Sequence, residues 1–292
     1  MAKVGFIGLG VMGFPMAGHL SKNGHKITVY NRSPEKSKAW CENYSGVFAN
    51  SPAEVASNSD YVFSCVGNDD DLESVTLGTS FPKDYGAFAR MKKGTYFIDH
   101  TTASAEVTRK LYKISQENEF SFIDAPVSGG QAGAENGSLT VMCGGDKDAY
   151  SAVEPLIRSF SNSCKLMGES GAGQLTKMVN QICIAGLLQG LSEGLSFASN
   201  AKLNVKDVIE VIKKGAAGSW QMDNRGHTMS DNLFDFGFAV DWMRKDLKIC
   251  LDEADKNGSS LPVTSIVDQF YKQIQKSGGG RLDTSSLIKL LK

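Results

Sequence analysis

Residues 4–20 read VGFIGLGVMGFPMAGHL. Val4 to Ile7 has strand composition, and the apolar residues after Gly13 recur at helical spacing, so Gly8, Gly10 and Gly13 stand at a turn from strand into helix. A strand that turns straight into a helix opens a βαβ unit, and the apolar run HKITVYN at 25–31 closes it. In that context the G-x-G-x-x-G spacing has a physical reading. Gly8 makes the tight turn, Gly10 lets backbone approach a pyrophosphate, and Gly13 lets helix pack closely on strand. The amides of the helix N-terminus and its positive dipole end then face that pyrophosphate, with Leu9, Val11 and Met12 completing the cradle.

The alternation continues. Apolar runs at 61–66 (YVFSCV), 95–100 (TYFIDH), 120–127 and 139–145 are separated by helical stretches such as SAEVTRKLYKISQEN, which predicts an α/β domain with an open, doubly wound parallel sheet. From about Pro155 the period becomes helical. Residues 173–201 predict one long helix that is apolar nearly all round, and the segments at 204–215, 240–258 and 262–278 are helical too. The reading is therefore residues 1–165 as a dinucleotide-binding domain and 166–292 as an all-helical domain. The long helix floors the cleft between them and buries surface in a homodimer or homotetramer.

Composition removes several classes. With 31 basic and 32 acidic residues the chain offers no broad field for nucleic acid or an anionic membrane surface, so any anion is bound locally. The six cysteines lie far apart, without C-x-x-C pairs or neighbouring histidines at ligand spacing, which argues against a metal site and a disulfide scaffold. No apolar run is read as a signal peptide or a membrane span, and the expected compartment is the cytoplasm.

The end of the second strand selects the dinucleotide. A carboxylate there would accept the adenosine ribose hydroxyls, but the chain has Asn31, Arg32 and Ser33, which suit a 2′-phosphate instead. NADP, with NADPH preferred over NADH, is the expected cofactor.

Four ordered motifs carry a resemblance: FIGLGVMGFPMAGHL, DAPVSGGQAGAENGSL from Asp124, GAGQLTKMVNQ from Gly171, and KDL from Lys245. Together they resemble the β-hydroxyacid dehydrogenase family over nearly the whole chain. The resemblance implies an N-terminal Rossmann domain, a helical C-terminal domain joined by a long interdomain helix, and nicotinamide-dependent interconversion of short 3-hydroxy acids and their semialdehydes. It places the active-site lysine at Lys177. Asn180 and Gln181 follow at the spacings that share a helix face, so the three can meet one substrate. An ammonium there can stabilise the alkoxide formed by hydride addition and donate its proton. The family's substrate loop falls on Ser128, Gly129 and Gly130, whose hydroxyl and amides suit a carboxylate. The cofactor-wall loops fall on Val66, Gly67 and Asn68 and on Thr102, and Lys245 reaches the nicotinamide side. The partner so implied is a small carboxylate. An imine reductase and a non-catalytic dinucleotide-binding scaffold are the alternatives; relatives of both kinds tend to lose the lysine, which is present here.

Overall fold

The computed structural model describes residues 1–79 and 84–291. The chain divides into two compact units, Met1–Lys177 and Met178–Lys292.

The first unit begins with β1 (Lys3–Ile7), α1 (Gly13–Lys22), β2 (Lys26–Tyr30), α2 (Pro34–Asn43), β3 (Val47–Phe48), α3 (Pro52–Ser57), β4 (Tyr61–Ser64), α4 (Asp69–Leu77), β5 (Tyr96–Asp99), α5 (Ala105–Glu117) and β6 (Ser121–Asp124). These strands run parallel in the order β3-β2-β1-β4-β5-β6. Val4, Phe6, Ile7, Val62, Phe63, Phe97, Ile98, Phe122 and Ile123 are fully buried, because helices cover both faces of a parallel sheet and its central strands read as continuous apolar runs. Helix starts are written locally. Ser51 Oγ accepts from Glu54 N at 3.1 Å ahead of Pro52, and Ser104 Oγ accepts from Val107 N at 3.1 Å.

Beyond β6 the sheet stops being purely parallel. β7 (Val127–Ser128) leads through α6 (Gly130–Glu135) to β8 (Leu139–Gly144), which pairs antiparallel with both β6 and β7. After α7 (Lys147–Ile157) comes β9 (Ser161–Gly168), parallel to β8. Two expectations are corrected here: the sheet is mixed, and the stretch after Pro155, where the period reads as helical, holds one more strand, β9. Pro155 lies inside α7, and the edge strand β9 escapes notice because SNSCKLMG is mostly polar and half exposed.

Helix α8 (Ala172–Asn200) starts in the first unit and continues into the second, which adds α9 (Val205–Ile212), α10 (Trp220–Ser230), α11 (Val240–Asn257), α12 (Pro262–Ile274) and a closing 3-10 segment, Thr284–Leu291. Ala185, Leu188, Val240, Met243, Leu247, Val267 and Tyr271 form the core of this unit. A second cluster gathers Leu191, Leu195, Ile209, Met222, Met229 and Phe234. Phe234 is therefore core, whereas Trp220 is exposed and lies against Arg225. Contrary to expectation, α8 is long and apolar enough by composition to cross a membrane. Its buried Gln174, Gln181, Gln189 and Ser192 mark it as a helix packed within protein. Nor is it buried all round: Val179, Leu187 and Phe197 are exposed in the single chain.

All six cysteines are free thiols. Cys143 and Cys164 bring their sulfurs to 3.6 Å across β8 and β9, and the hydrogen bond between them and burial push the Cys143 thiol far up.

Candidate active site

The sheet reverses direction of winding between β1 and β4, and the glycine turn lies there, at the C-terminal ends of the strands. Each glycine has a separate reason. Gly8 has φ +96°, and a Cβ on it would overlap the Cys65 carbonyl oxygen at the end of β4. A Cβ on Gly13 would overlap the Gly8 carbonyl, so α1 can begin only where a side chain is absent. Gly10 differs: a Cβ there meets nothing within 4 Å, so folding does not require this glycine and the space beside it remains for a ligand. Met12, the N-cap of α1, brings no side-chain oxygen to the first-turn amides, which suits them to a phosphate. These observations match a dinucleotide's pyrophosphate.

Asn31 reaches back to this turn. Its Oδ1 accepts from Leu9 N at 2.9 Å while its Nδ2 donates to Ser33 O at 3.1 Å, so the amide ties the end of β2 to the glycine loop. Arg32 is largely exposed and pairs with Asp71 of α4, its Nη1 3.0 Å from the carboxylate. Asp71 was not anticipated. On the opposite wall Asn68 caps α4, its Oδ1 2.8 Å from Asp71 N, and the Val66 amide donates to Thr101 Oγ1 at 3.0 Å. Gly67 lies between those two anchored residues, and Thr102 is partly buried in the loop after β5.

Two carboxylates missed by sequence reasoning hold these loops. Asp99 and Asp124 end the adjacent strands β5 and β6 as register partners, and both are fully buried. Asp99 Oδ1 accepts from Ser64 Oγ at 2.7 Å and from the Thr101 amide and hydroxyl at 3.1 and 2.7 Å, while Oδ2 has no partner among the described residues. Burial pushes this carboxyl up to about 7 against those hydrogen bonds. Asp124 accepts from Gly171 N at 2.8 Å and Gln174 N at 3.0 Å, anchoring the start of α8; burial raises it too, and these amides oppose the rise. Beside Asp99, His100 donates from Nδ1 to Ala125 O at 2.6 Å, and burial lowers it to about 4. An acidic residue closing an apolar strand was the available signal, since a buried carboxylate requires donors.

Within the first unit the structure brings Lys177 to the predicted substrate loop. Lys177 is 8% exposed, and its Nζ donates to Val127 O at 2.8 Å, next to Ser128. Gly129 and Gly130 follow with φ +130° and +62°, a backbone only glycine adopts readily, and a Cβ at Gly130 would meet open space.

In the second unit Asn180 Nδ2 donates to Gln181 Oε1 at 2.7 Å, and Gln181 Nε2 donates to Asp246 Oδ2 at 2.5 Å. Lys245 Nζ stands 3.0 Å from Asp246 Oδ1. The predicted Asn180, Gln181 and Lys245 thus belong to one chain of polar contacts centred on buried Asp246.

Six parallel strands in this order, with a glycine turn at their switch point and a buried lysine beside a second glycine turn, are what a nicotinamide-dependent oxidoreductase of this fold needs. Comparison with known proteins agrees. The NAD-binding domain of 6-phosphogluconate dehydrogenase matches residues 3–168, and the NAD-binding domain of NADP-dependent 3-hydroxyisobutyrate dehydrogenase matches residues 171–291. A probable 3-hydroxyisobutyrate dehydrogenase-like protein of Arabidopsis thaliana is 40% identical, covering 99% of this chain and 85% of its own. The 2-hydroxy-3-oxopropionate reductase of Escherichia coli is 32% identical over 99% and 97%. Among solved structures, 3-hydroxyisobutyrate dehydrogenase of Mycobacterium tuberculosis, determined with L-serine, superposes with a TM-score of 0.87 at 25% identity, over 100% of this chain and 99% of its own. The chain belongs to the β-hydroxyacid dehydrogenase family and is a NAD(P)-dependent hydroxyacid dehydrogenase.

Proposed function

We propose that the protein interconverts a short 3-hydroxy acid and its semialdehyde, prefers NADP(H), and uses Lys177 as general acid and base. The observation that carries this reading is the buried Lys177 ammonium held on the Val127 carbonyl beside the Ser128–Gly130 turn. Held by the residues named below, a nicotinamide would supply the hydride chemistry at the carbonyl carbon, in either direction. Lys177 gives a proton to the developing alkoxide oxygen and takes it back in oxidation. The Ser128 hydroxyl and the Gly129 and Gly130 amides hold the substrate carboxylate. Asn180 and Gln181 supply amides to the substrate, and Lys245 acts on the nicotinamide side.

The cofactor is held by Gly8, Leu9, Gly10, Val11, Met12 and Gly13 at the pyrophosphate, and by Val66, Gly67, Asn68 and Thr102 along its wall. Asn31, Arg32 and Ser33 face the adenosine ribose, with Arg32 on a 2′-phosphate. The Arabidopsis and E. coli relatives, a probable 3-hydroxyisobutyrate dehydrogenase-like protein and a 2-hydroxy-3-oxopropionate reductase by name, support the substrate class. The exposed Val179, Leu187 and Phe197 on α8 and Val263 and Ile266 on α12 support a homodimer or homotetramer. Six free thiols suit a reducing compartment, which we take to be the cytoplasm.

The test is NADPH and NADH turnover across short semialdehydes and 3-hydroxy acids, with wild type and Lys177→Ala. The expected result is turnover of at least one compound, with kcat lowered by about 10²–10⁴-fold in the variant and dinucleotide affinity retained. An unaltered kcat removes the lysine from the chemistry; no turnover by wild type, with the dinucleotide still bound, moves cyclic imines to the front.

A further inference from the structure

We infer that Gln174 is a positioning residue for hydride transfer, its side-chain amide clamping the Thr101–Ala103 loop to the first turn of the helix that carries Lys177. The inference rests on the reading of Lys177 given above.

Gln174 is fully buried and uses both ends of its amide on one loop. Its Nε2 donates to Thr101 O at 2.7 Å, and its Oε1 accepts from Ala103 N at 3.1 Å. A carbonyl can only accept and an amide N–H can only donate, so these partners fix the orientation of the side chain. Few residues can replace it: glutamate has no proton for Thr101 O when ionised, leucine has neither group, and asparagine is one methylene short. The backbone of Gln174 is itself held, its amide donating to Asp124 Oδ2 at 3.0 Å.

The two clamped groups flank Thr102. On the other side of the loop, Asp99 takes the Thr101 amide and hydroxyl, so the turn is gripped from the sheet and from α8 together. Lys177 lies three residues after Gln174, on the same side of the helix, with its ammonium on Val127 O. A helical turn transmits a displacement with little loss, so the position of the Thr102 loop and that of the Lys177 nitrogen are set by one connection. Misplacement of reacting groups by about 1 Å costs on the order of 10²-fold in rate.

Gln174→Leu removes both hydrogen bonds, while Gln174→Glu keeps the volume and the accepting end and guards against a variant that fails to fold. The measurements are kcat, KM, dinucleotide Kd by fluorescence, the isotope effect with C4-deuterated reduced cofactor, and amide hydrogen exchange across residues 101–104. In both variants kcat is expected to fall by about 10–100-fold. The Kd should stay within about threefold and the isotope effect should rise, while exchange at Ala103 should quicken in Gln174→Leu and stay slow in Gln174→Glu, which keeps the acceptor of that amide. A purely structural role would lower thermal stability and leave kcat and the isotope effect of the folded protein unchanged. A kcat within twofold of wild type, or a loss of kcat matched by an equal loss of dinucleotide affinity, overturns the proposal. Should wild type turn over none of the candidate substrates, the dehydrogenase reading fails by itself; the clamp is then judged on exchange, where unchanged protection at Ala103 in Gln174→Leu overturns it.

Discussion

At the scale of single residues, Arg32 illustrates how a partner changes a role. The guanidinium is exposed and already paired with Asp71 at 3.0 Å, so under the proposed NADP(H) preference a 2′-phosphate would have to compete with a carboxylate for it. Exposed pairs contribute only about 0.2–1 kcal/mol, so the competition is worth a few-fold in affinity. Asp71→Asn should tighten 2′,5′-ADP by about two- to fivefold and leave 5′-AMP unchanged, whereas Arg32→Ala should weaken 2′,5′-ADP alone; titration calorimetry with both nucleotides distinguishes them. An equal effect of either change on both nucleotides would take Arg32 away from the phosphate. Arg32 is a candidate from sequence because it stands where a ribose-binding acid would otherwise be. Asp71 was not, since the contact joins residues 39 positions apart and nothing in DDDLESV says which carboxylate turns toward β2.

At the scale of elements, the strand, turn and helix at residues 3–22 were readable almost completely, because each glycine answers a local steric demand. The structure separates those demands. Gly13→Ala presses a methyl into the Gly8 carbonyl and should lower stability by about 2 kcal/mol or more, since backbone cannot move aside cheaply. Gly10→Ala meets nothing, so melting should be unchanged within about 0.5 kcal/mol, while the dinucleotide loses its closest backbone approach and binds at least tenfold more weakly. Paired melting and binding curves for the two variants check this; equal melting temperatures would show that the turn relaxes around Gly13. Less legible were β9, a polar edge strand, and β7, two residues long, whose carbonyl at Val127 nevertheless receives Lys177. Motif position located the lysine, but its acceptor lies 50 residues away in sequence and only folding reveals it.

At the scale of the whole molecule, two buried groups set opposing pH dependences. Asp99, raised to about 7 by burial, keeps a proton in the native state that the unfolded chain loses near 3.8. Its contribution is therefore fully present below the lower value and is lost as pH rises through about 7. His100, lowered to about 4, acts in reverse: its contribution is present above 6.5 and is lost as pH falls toward 4. Asp99→Asn cannot ionise, so relative to wild type it should gain on the order of 2–4 kcal/mol between pH 4 and pH 8. Denaturant titrations across that range test the sign; a constant difference would mean that Asp99 is ionised throughout. Neither group was anticipated, because an acid or a histidine at the end of an apolar strand reads as the start of a loop until the layers that close over it are known.

The division between the two units falls inside α8, after Lys177, whereas the two family domains meet between residues 168 and 171. This matters for recombination among relatives. A chimera spliced at residue 168 takes Asp124 from one parent and its amide donors, Gly171 and Gln174, from the other, so a buried acid must accept a foreign anchor. A crossover placed after Lys177 inherits carboxylate, clamp and lysine from a single ancestor, and it is there that halves of this family should exchange with least damage.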